Sequence, residues 1–341
     1  MKIISVVNQK GGCGKTITAV NLSAALSKKG FKVLLIDMDP QAHATFALRK
    51  DNTTTITDIL EKMYLEEALP QDNLYVSIAD NFYFIPSRIG LASLEYKVSQ
   101  REDRFSILSS FLQTISANFD YCVLDCPPNL GVLTLNALEA SAYSIIPLNM
   151  CDFSLRGVEI LKDIIIMLKE FKGKAPVSFY LLNQLDKRYR FSLEFTEKVK
   201  KQLGSLVLES SIRTNVHLKE ASSAGKTIFE YMPDSRGAED FLALATELER
   251  ITSQTTWKPL FLKGEQFNEV YAIGDFNNWK KEEQYKLKKV GNDIWTINIP
   301  LSEKGKYRYK FLAGDSWISD PHNKLEEDDH FGGKNSLLVI E

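Results

Sequence analysis

Ile3-Ile4-Ser5-Val6-Val7-Asn8-Gln9-Lys10-Gly11-Gly12-Cys13-Gly14-Lys15-Thr16 opens with an apolar run, turns on glycines and ends in a lysine–threonine pair. The run Ile3–Asn8 predicts a strand, and the pattern Thr18–Lys28 beyond the turn predicts a helix. A glycine-rich turn between strand and helix exposes backbone N–H groups at a helix N-terminus, where phosphate is favoured. In such a site Lys15 contacts the β- and γ-phosphates of a nucleotide and the Thr16 hydroxyl ligates Mg²⁺. The ordinary phosphate loop has glycine five residues before Gly14; that position here is Gln9, and an additional lysine stands at Lys10.

Working outward, short apolar runs recur at Val33–Asp37, Phe82–Pro86, Tyr121–Cys126, Ser144–Leu148 and Val177–Asn183, separated by helix-length segments. This predicts an α/β fold, a mostly parallel sheet with helices on both faces. Leu91, Leu94, Val98, Phe105, Leu108, Leu112 and Ile115 fall at three- and four-residue spacings, which predicts a helix over 91–115 packed on that sheet. After residue 256 the pattern becomes aromatic-rich strands at Glu269–Gly274, Asp293–Ile299, Tyr307–Ala313 and Ser336–Ile340. Gly291-Asn292-Asp293 and Ala313-Gly314-Asp315 mark turns between them. That predicts a small all-β sandwich.

The 341 residues suffice for about two domains. All four tryptophans (Trp257, Trp279, Trp295, Trp317) follow residue 256, and all four cysteines (Cys13, Cys122, Cys126, Cys151) precede residue 152. The polar stretch from Thr252 to Thr256 lies between these regimes. We therefore expect a first domain over 1–252, a linker over 253–256 and a second domain over 257–341. Residues 257–341 carry 13 Lys/Arg against 14 Asp/Glu, so neither part is basic overall and any DNA contact needs a local patch. The cysteines form no CxxC pair, which fits a reducing cytosol. No charged leader or long apolar run is seen, so membrane insertion and export by a signal peptide are not expected.

The K-G-G-x-G-K-T pattern of Lys10–Thr16 resembles the deviant phosphate loop of the ParA/MinD ATPases. Asp37-Met38-Asp39-Pro40-Gln41 is similar to that family's D-x-D-P-Q segment, and Tyr121–Pro128, with Asp125, resembles its Walker B segment. Ile212–Ala221, Gly225-Lys226 and Ser235–Ala238 continue the resemblance over residues 1–250. It implies an ATPase using ATP and Mg²⁺. Gly11, Gly12, Cys13, Gly14, Lys15 and Thr16 would cradle phosphate, with Thr16 and, through water, Asp125 at the metal. Asn183 would recognise adenine. Two ATP-bound protomers would close face to face, with Lys10 of each reaching the other's phosphates. Asp39 would orient the attacking water and Asp37 would support the Mg²⁺ and lysine network. Where the family has a second threonine, this chain has Ile17.

ParA relatives also bind DNA without sequence preference, a salt-sensitive contact. The resemblance makes Arg188, in Asp186-Lys187-Arg188, a candidate, with His217 and Lys219; Arg190, Lys198, Lys200 and Lys201 are nearby. A ParB-like activator is a further implied partner. With a strand predicted at Ser336–Ile340, a basic amphipathic C-terminal helix of the membrane-binding kind is not expected.

Val270–Trp279, Tyr307–Leu312 and Asp315–Pro321 resemble the glycogen-binding domain of the AMP-activated protein kinase β subunit. That resemblance implies an α-glucan site built from Trp279, Trp317, Lys310 and Asn335. Aromatic faces stack on sugar C–H faces while the lysine and asparagine bond hydroxyls. Trp295 is expected in the core and Trp257 beside the linker. Two readings follow: a positioning or partitioning ATPase carrying a glucan adaptor, or an ATP- and carbohydrate-responsive binding protein without DNA transport.

Overall fold

The computed structural model describes all residues except 51–53, 71–72, 150–154, 173, 187, 254–255, 291–292, 302 and 341. Cys151, Lys187, the linker residues Gln254 and Thr255, and the turn residues Gly291 and Asn292 lie outside the described residues.

Eight strands form the first sheet: β1 (Lys2–Val6), β2 (Val33–Asp37), β3 (Val76–Ala79), β4 (Phe82–Ile85), β5 (Tyr121–Asp125), β6 (Tyr143–Leu148), β7 (Val177–Leu185) and β8 (Val207–Arg213). Their order is β3-β4-β2-β5-β1-β6-β7-β8. The pairs β1–β5, β1–β6, β2–β5 and β2–β4 are parallel, and β3 runs antiparallel at the edge. Every residue of β2, β5 and β6 is buried, the unbroken burial of central strands covered on both faces.

The helices are α1 (Lys15–Lys28), α2 (His43–Leu48), α3 (Ile56–Leu65), α4 (Gly90–Val98), α5 (Ile107–Ile115), α6 (Val132–Ala140), α7 (Leu155–Lys172), α8 (Arg190–Leu203), α9 (Val216–Ser223), α10 (Ile228–Tyr231) and α11 (Arg236–Ser253). The expected single helix over 91–115 is two helices, α4 and α5. The polar run Gln100–Arg104 has no apolar side chain to continue the stripe. Arg101 instead bonds Asp103 Oδ1 at 2.7 Å and the Tyr64 carbonyl at 3.0 Å, fixing a turn. The edge strand β3 and strand β8 had no expectation from sequence.

The remaining strands are β9 (Thr256–Lys263), β10 (Val270–Gly274), β11 (Lys288–Val290), β12 (Ile294–Leu301), β13 (Gly305–Ala313), β14 (Ser316–Ile318), β15 (Glu326–Asp328) and β16 (Lys334–Ile340). They make a sheet β10-β13-β16-β15, with β14 on β13, and a sheet β11-β12-β9. Leu260, Ile297, Tyr309 and Phe311 form their shared core, joined by Trp295, whose Nε1 donates to the Gly264 carbonyl at 3.0 Å. Of the expected linker 253–256, Ser253 ends α11 and Thr256 opens β9.

The chain forms two compact units. One comprises Met1–Phe153, Phe179–Leu193 and Leu208–Glu249; the other comprises Ser154–Ser178, Glu194–Val207 and Arg250–Glu341. Helix α7 and most of α8 thus group with the sandwich, a partition that hydropathy patterning does not carry. Cys13, Cys122 and Cys126 are buried. Among the described residues no helix is long and apolar enough to cross a membrane.

Gly274 ends β10 against Tyr309 of β13. A Cβ there would stand 2.2 Å from the Arg308 carbonyl oxygen and 2.7 Å from Tyr309 Cβ. Gly274→Ala is expected to destabilise the sandwich by about 1–3 kcal/mol through overpacking. Urea unfolding followed by tryptophan emission checks this, since every tryptophan lies in 257–341; an unchanged midpoint contradicts it.

Candidate nucleotide site and carbohydrate platform

The turn after β1 is built by its own backbone and side chains. The Lys10 N–H donates to Asn8 Oδ1 at 3.1 Å, and Asn8 Nδ2 donates to the Pro147 carbonyl at 2.8 Å. Lys15 Nζ donates to the Lys10 carbonyl at 3.0 Å, folding the lysine back over the loop. Gly14 starts α1 at φ 89°, a left-handed conformation that glycine tolerates best. A Cβ on Gly14 would also meet Asn183 Nδ2 at 2.3 Å. Gly11 and Gly12 are exposed, whereas Cys13 is fully buried and its Sγ approaches the Lys10 carbonyl at 3.3 Å.

Three carboxylates close the site at the C-terminal ends of β2 and β5, the edge where open parallel sheets bind ligands. Asp37 and Asp125 are register partners and both are fully buried; Asp39 is 5% exposed. Asp37 accepts from Thr45 N at 2.9 Å, Thr45 Oγ1 at 2.8 Å and Asp39 N at 3.0 Å, so its carboxylate braces the first turn of α2. Burial nevertheless pushes its pKa up to about 6. Asp39 accepts from the Gln41 N–H at 2.9 Å and stands 3.5 Å from His43 Nδ1. Neither oxygen of Asp125 makes a hydrogen bond of ordinary geometry. Burial raises its pKa well above the carboxylate range and the Asp37 charge adds to this, while Thr16 and Lys15 pull the other way.

Beside Gly14 a cavity of about 140 Å³ is lined by Ile17, Asn183, Gln184, Arg213, Thr214, Asn215, Leu218 and Lys219. Asn183 Nδ2 donates to the Cys13 carbonyl at 2.8 Å and Gln184 Nε2 to the Gly12 carbonyl at 3.3 Å, tying the end of β7 to the phosphate loop. Gln184, held at φ 56°, has no counterpart among the residues singled out in the sequence. Arg213, Thr214, Asn215 and Leu218 lie in the Ile212–Ala221 stretch that carries the resemblance. Their position at a strand end and helix start was the available signal. Ile17, where the related pattern has threonine, faces this cavity.

The DNA candidates are spread across different settings. Arg188 donates to Asp186 through Nε at 2.9 Å and Nη2 at 2.5 Å. His217 Nδ1 lies 2.8 Å from Glu220 Oε2, and Lys219 lines the cavity beside Gly14.

On the sandwich, the Trp279 and Trp317 ring centroids are 6.4 Å apart at 44°. Both rings are open to solvent, 36% and 52% exposed. Asn278 and Trp279 sit at φ 53° and 58°, and Trp279 Nε1 donates to Asp275 Oδ1 at 2.9 Å, which aims the ring outward. Lys310 Nζ is 2.5 Å from Asp329 Oδ2, and this partner lowers the Asp329 pKa to about 2. Asp329 Oδ1 also accepts from the N–H groups of Phe331 and Gly333, each at 2.8 Å. Lys310 therefore organises the loop that carries Phe331, which is 95% exposed and was not singled out as a site residue. Asn335 is 7% exposed in β16.

A family model described as an AAA domain matches residues 1–175, and a second, the glycogen recognition site of AMP-activated protein kinase, matches 261–341. The sporulation initiation inhibitor protein Soj of Bacillus subtilis is 39% identical over 251 residues, covering 72% of this chain and 98% of Soj. The chain belongs to the ParA/MinD family of P-loop ATPases. The chromosome partitioning protein ParA of Myxococcus xanthus is 35% identical, covering 72% of this chain and 87% of that protein. Cobyrinic acid a,c-diamide synthase of Mycobacterium smegmatis with bound ADP and magnesium superposes at a TM-score of 0.61 with 27% identity, covering 75% of this chain and 97% of that one. The Pyrococcus furiosus cell division ATPase MinD gives 0.59 with 28% identity, covering 74% and 99%.

ATP and Mg²⁺ are the cofactors of this ATPase family, and the residues present fit them. Among the described residues no group of three or more His, Cys, Asp or Glu could hold a metal ion unaided. The residues that would hold such a cation are Thr16 and, beside it, the buried carboxylate of Asp125.

Two expectations follow. Gly14→Ala should weaken binding of a fluorescent ATP analogue more than tenfold, about 1.4 kcal/mol, by displacing Asn183; unchanged affinity contradicts the packing. For Asp37, the ordinary carboxyl value is 3.8 and the folded value about 6. Its contribution to the stability of the nucleotide-free fold is present below 3.8 and is lost as pH rises through about 6. Mg²⁺ with ATP favours the ionised carboxylates, so the gain in melting temperature on adding both should grow from about pH 5 to about pH 7. Asp37→Asn should flatten that growth; a gain in the parent protein that ignores pH contradicts the assignment.

Proposed function

We propose that this protein is an ATP-hydrolysing switch that dimerises with ATP in the cytoplasm and carries an α-glucan-binding adaptor on its C-terminal sandwich. The tilted, solvent-open pair Trp279–Trp317 is the observation that carries the adaptor reading. Two faces of this kind stack against successive apolar sugar surfaces, and neither ring is needed to close the core. The ATPase half rests on Lys15, Thr16 and Asp125 converging where phosphates and Mg²⁺ belong. In this reading Lys10 reaches the partner protomer's phosphates, Asp39 orients the attacking water, and Asn183 fixes the loop against which the adenine lodges. A lysine supplied in trans makes hydrolysis conditional on dimer formation. The domains, on this reading, are the ATPase over 1–252 and the sugar module over 257–341.

DNA is the proposed scaffold for a positioning or partitioning role, with Arg188, His217 and Lys219 as its contacts and a ParB-like protein as activator. A second reading, a regulatory protein responsive to ATP and carbohydrate without DNA transport, is favoured by a specific observation. Arg188 is neutralised by Asp186, and His217 stands against Glu220. ATP-dependent retention on DNA supports the first reading. Sugar-dependent ATPase activity without such retention supports the second.

Co-sedimentation with glycogen tests the adaptor directly. The intact protein should pellet with glycogen, and a Trp279→Ala/Trp317→Ala double variant should remain in the supernatant. An intact protein that stays soluble overturns the glucan reading.

A further inference from the structure

We propose that Lys169, on α7, is a positioning residue of the carbohydrate platform; the proposal rests on the glucan-binding reading of the sandwich. The link is Asp320, three residues after Trp317 and 1% exposed. Its Oδ2 accepts from Tyr309 Oη at 2.6 Å and from Lys169 Nζ at 3.0 Å, and its Oδ1 accepts from the His322 N–H at 2.8 Å. The Asp320 N–H donates to Ser336 Oγ at 2.8 Å. Tyr309 and Ser336 are register partners on β13 and β16, and their strand neighbours are Lys310 and Asn335. Side chains alternate faces along a strand, so the buried row Tyr309, Ser336 and Asp320 backs the strands that carry the proposed sugar contacts.

The cation on this carboxylate comes from α7, outside the 261–341 stretch that matches the glycogen recognition model. The contact is part of a matched face. Glu170 Oε1 lies 2.6 Å from His322 Nδ1, and Asp163 Oδ1 lies 2.5 Å from Lys263 Nζ. Lys162 and Lys169 stand 5.3 and 5.6 Å from the centre of the Phe261 ring. Positions 162 and 163 recur two helical turns later as 169 and 170, so these charges form one stripe on α7.

A carboxylate this deep is strongly destabilising when its cation is removed, because its charge is left uncompensated. The turn holding Asp320 then relaxes toward water, and β14 shifts with it. Trp317 moves relative to Trp279, whose own ring is fixed separately by Asp275. The ATPase helix α7 thereby sets the spacing of a platform that it does not line.

Titration calorimetry of the full chain with maltoheptaose tests this. Lys169→Met is expected to weaken binding by between about threefold and a hundredfold, the range of couplings between contacting groups. Lys169→Arg, which keeps the charge, should restore most of the affinity. The double variant Lys169→Met/Asp320→Asn removes both charges and should bind better than Lys169→Met alone, a recovery that mere damage to the helix would not give. It also keeps the test alive if the single variant fails to fold. Parent-like affinity in a folded Lys169→Met, or no recovery in the double variant, overturns the proposal while leaving the glucan reading standing. No binding by the parent protein, with none gained by any variant, overturns both.

Discussion

Asp125 is buried at the end of β5 without a hydrogen bond of ordinary geometry to either oxygen, level with Asp37 at the end of β2. Burial disfavours the ionised form of this carboxylate, and a nearby cation or hydrogen-bond donor favours it. Lys15 is the protein's partial answer, yet its ammonium is bonded to the Lys10 carbonyl. Mg²⁺ bound with a nucleotide would complete the compensation, with Thr16 and Asp125 as the residues beside it. The glycines of the phosphate loop, the tether from Asn183 to Cys13 and the brace from Asp37 to Thr45 all hold the elements that meet at this point.

This site was legible in the sequence because its chemistry is local. Lys10–Thr16 sits between one strand and one helix, and Asp37, Asp39 and Asp125 each end an apolar run. The far wall was less legible. Gln184 lies one residue past the expected end of its strand and gains its place from an unusual backbone angle, which residue type does not announce. The apolar spacing over 91–115 predicts one helix because two stripes stay in phase across a polar turn. Arg101 and Asp103 fix that turn through side-chain bonds that periodicity does not register. In the sandwich, the tryptophan pair followed from the resemblance, whereas the bond from Lys310 to Asp329 and the exposure of Phe331 required coordinates.

The grouping of α7 with the sandwich has a similar origin. Along the sequence, nothing marks Lys162, Asp163, Lys169 and Glu170 as contact residues. In the fold they meet Phe261, Lys263, Asp320 and His322, and Asp320 is deep enough that its partner matters. Charges that would contribute little at an exposed surface become organising contacts once buried. The sandwich thus packs against a helix whose sequence lies within the AAA-domain match.

The central claim is that the nucleotide site is completed between two protomers by Lys10. Light scattering of the full chain with Mg²⁺ and ATP, using Asp39→Ala to slow turnover, tests it most directly. The account predicts twice the single-chain mass with ATP, the single-chain mass with ADP, and no ATP-induced doubling once Lys10→Ala is added. A single-chain mass under saturating ATP, or doubling that ignores Lys10, would contradict it.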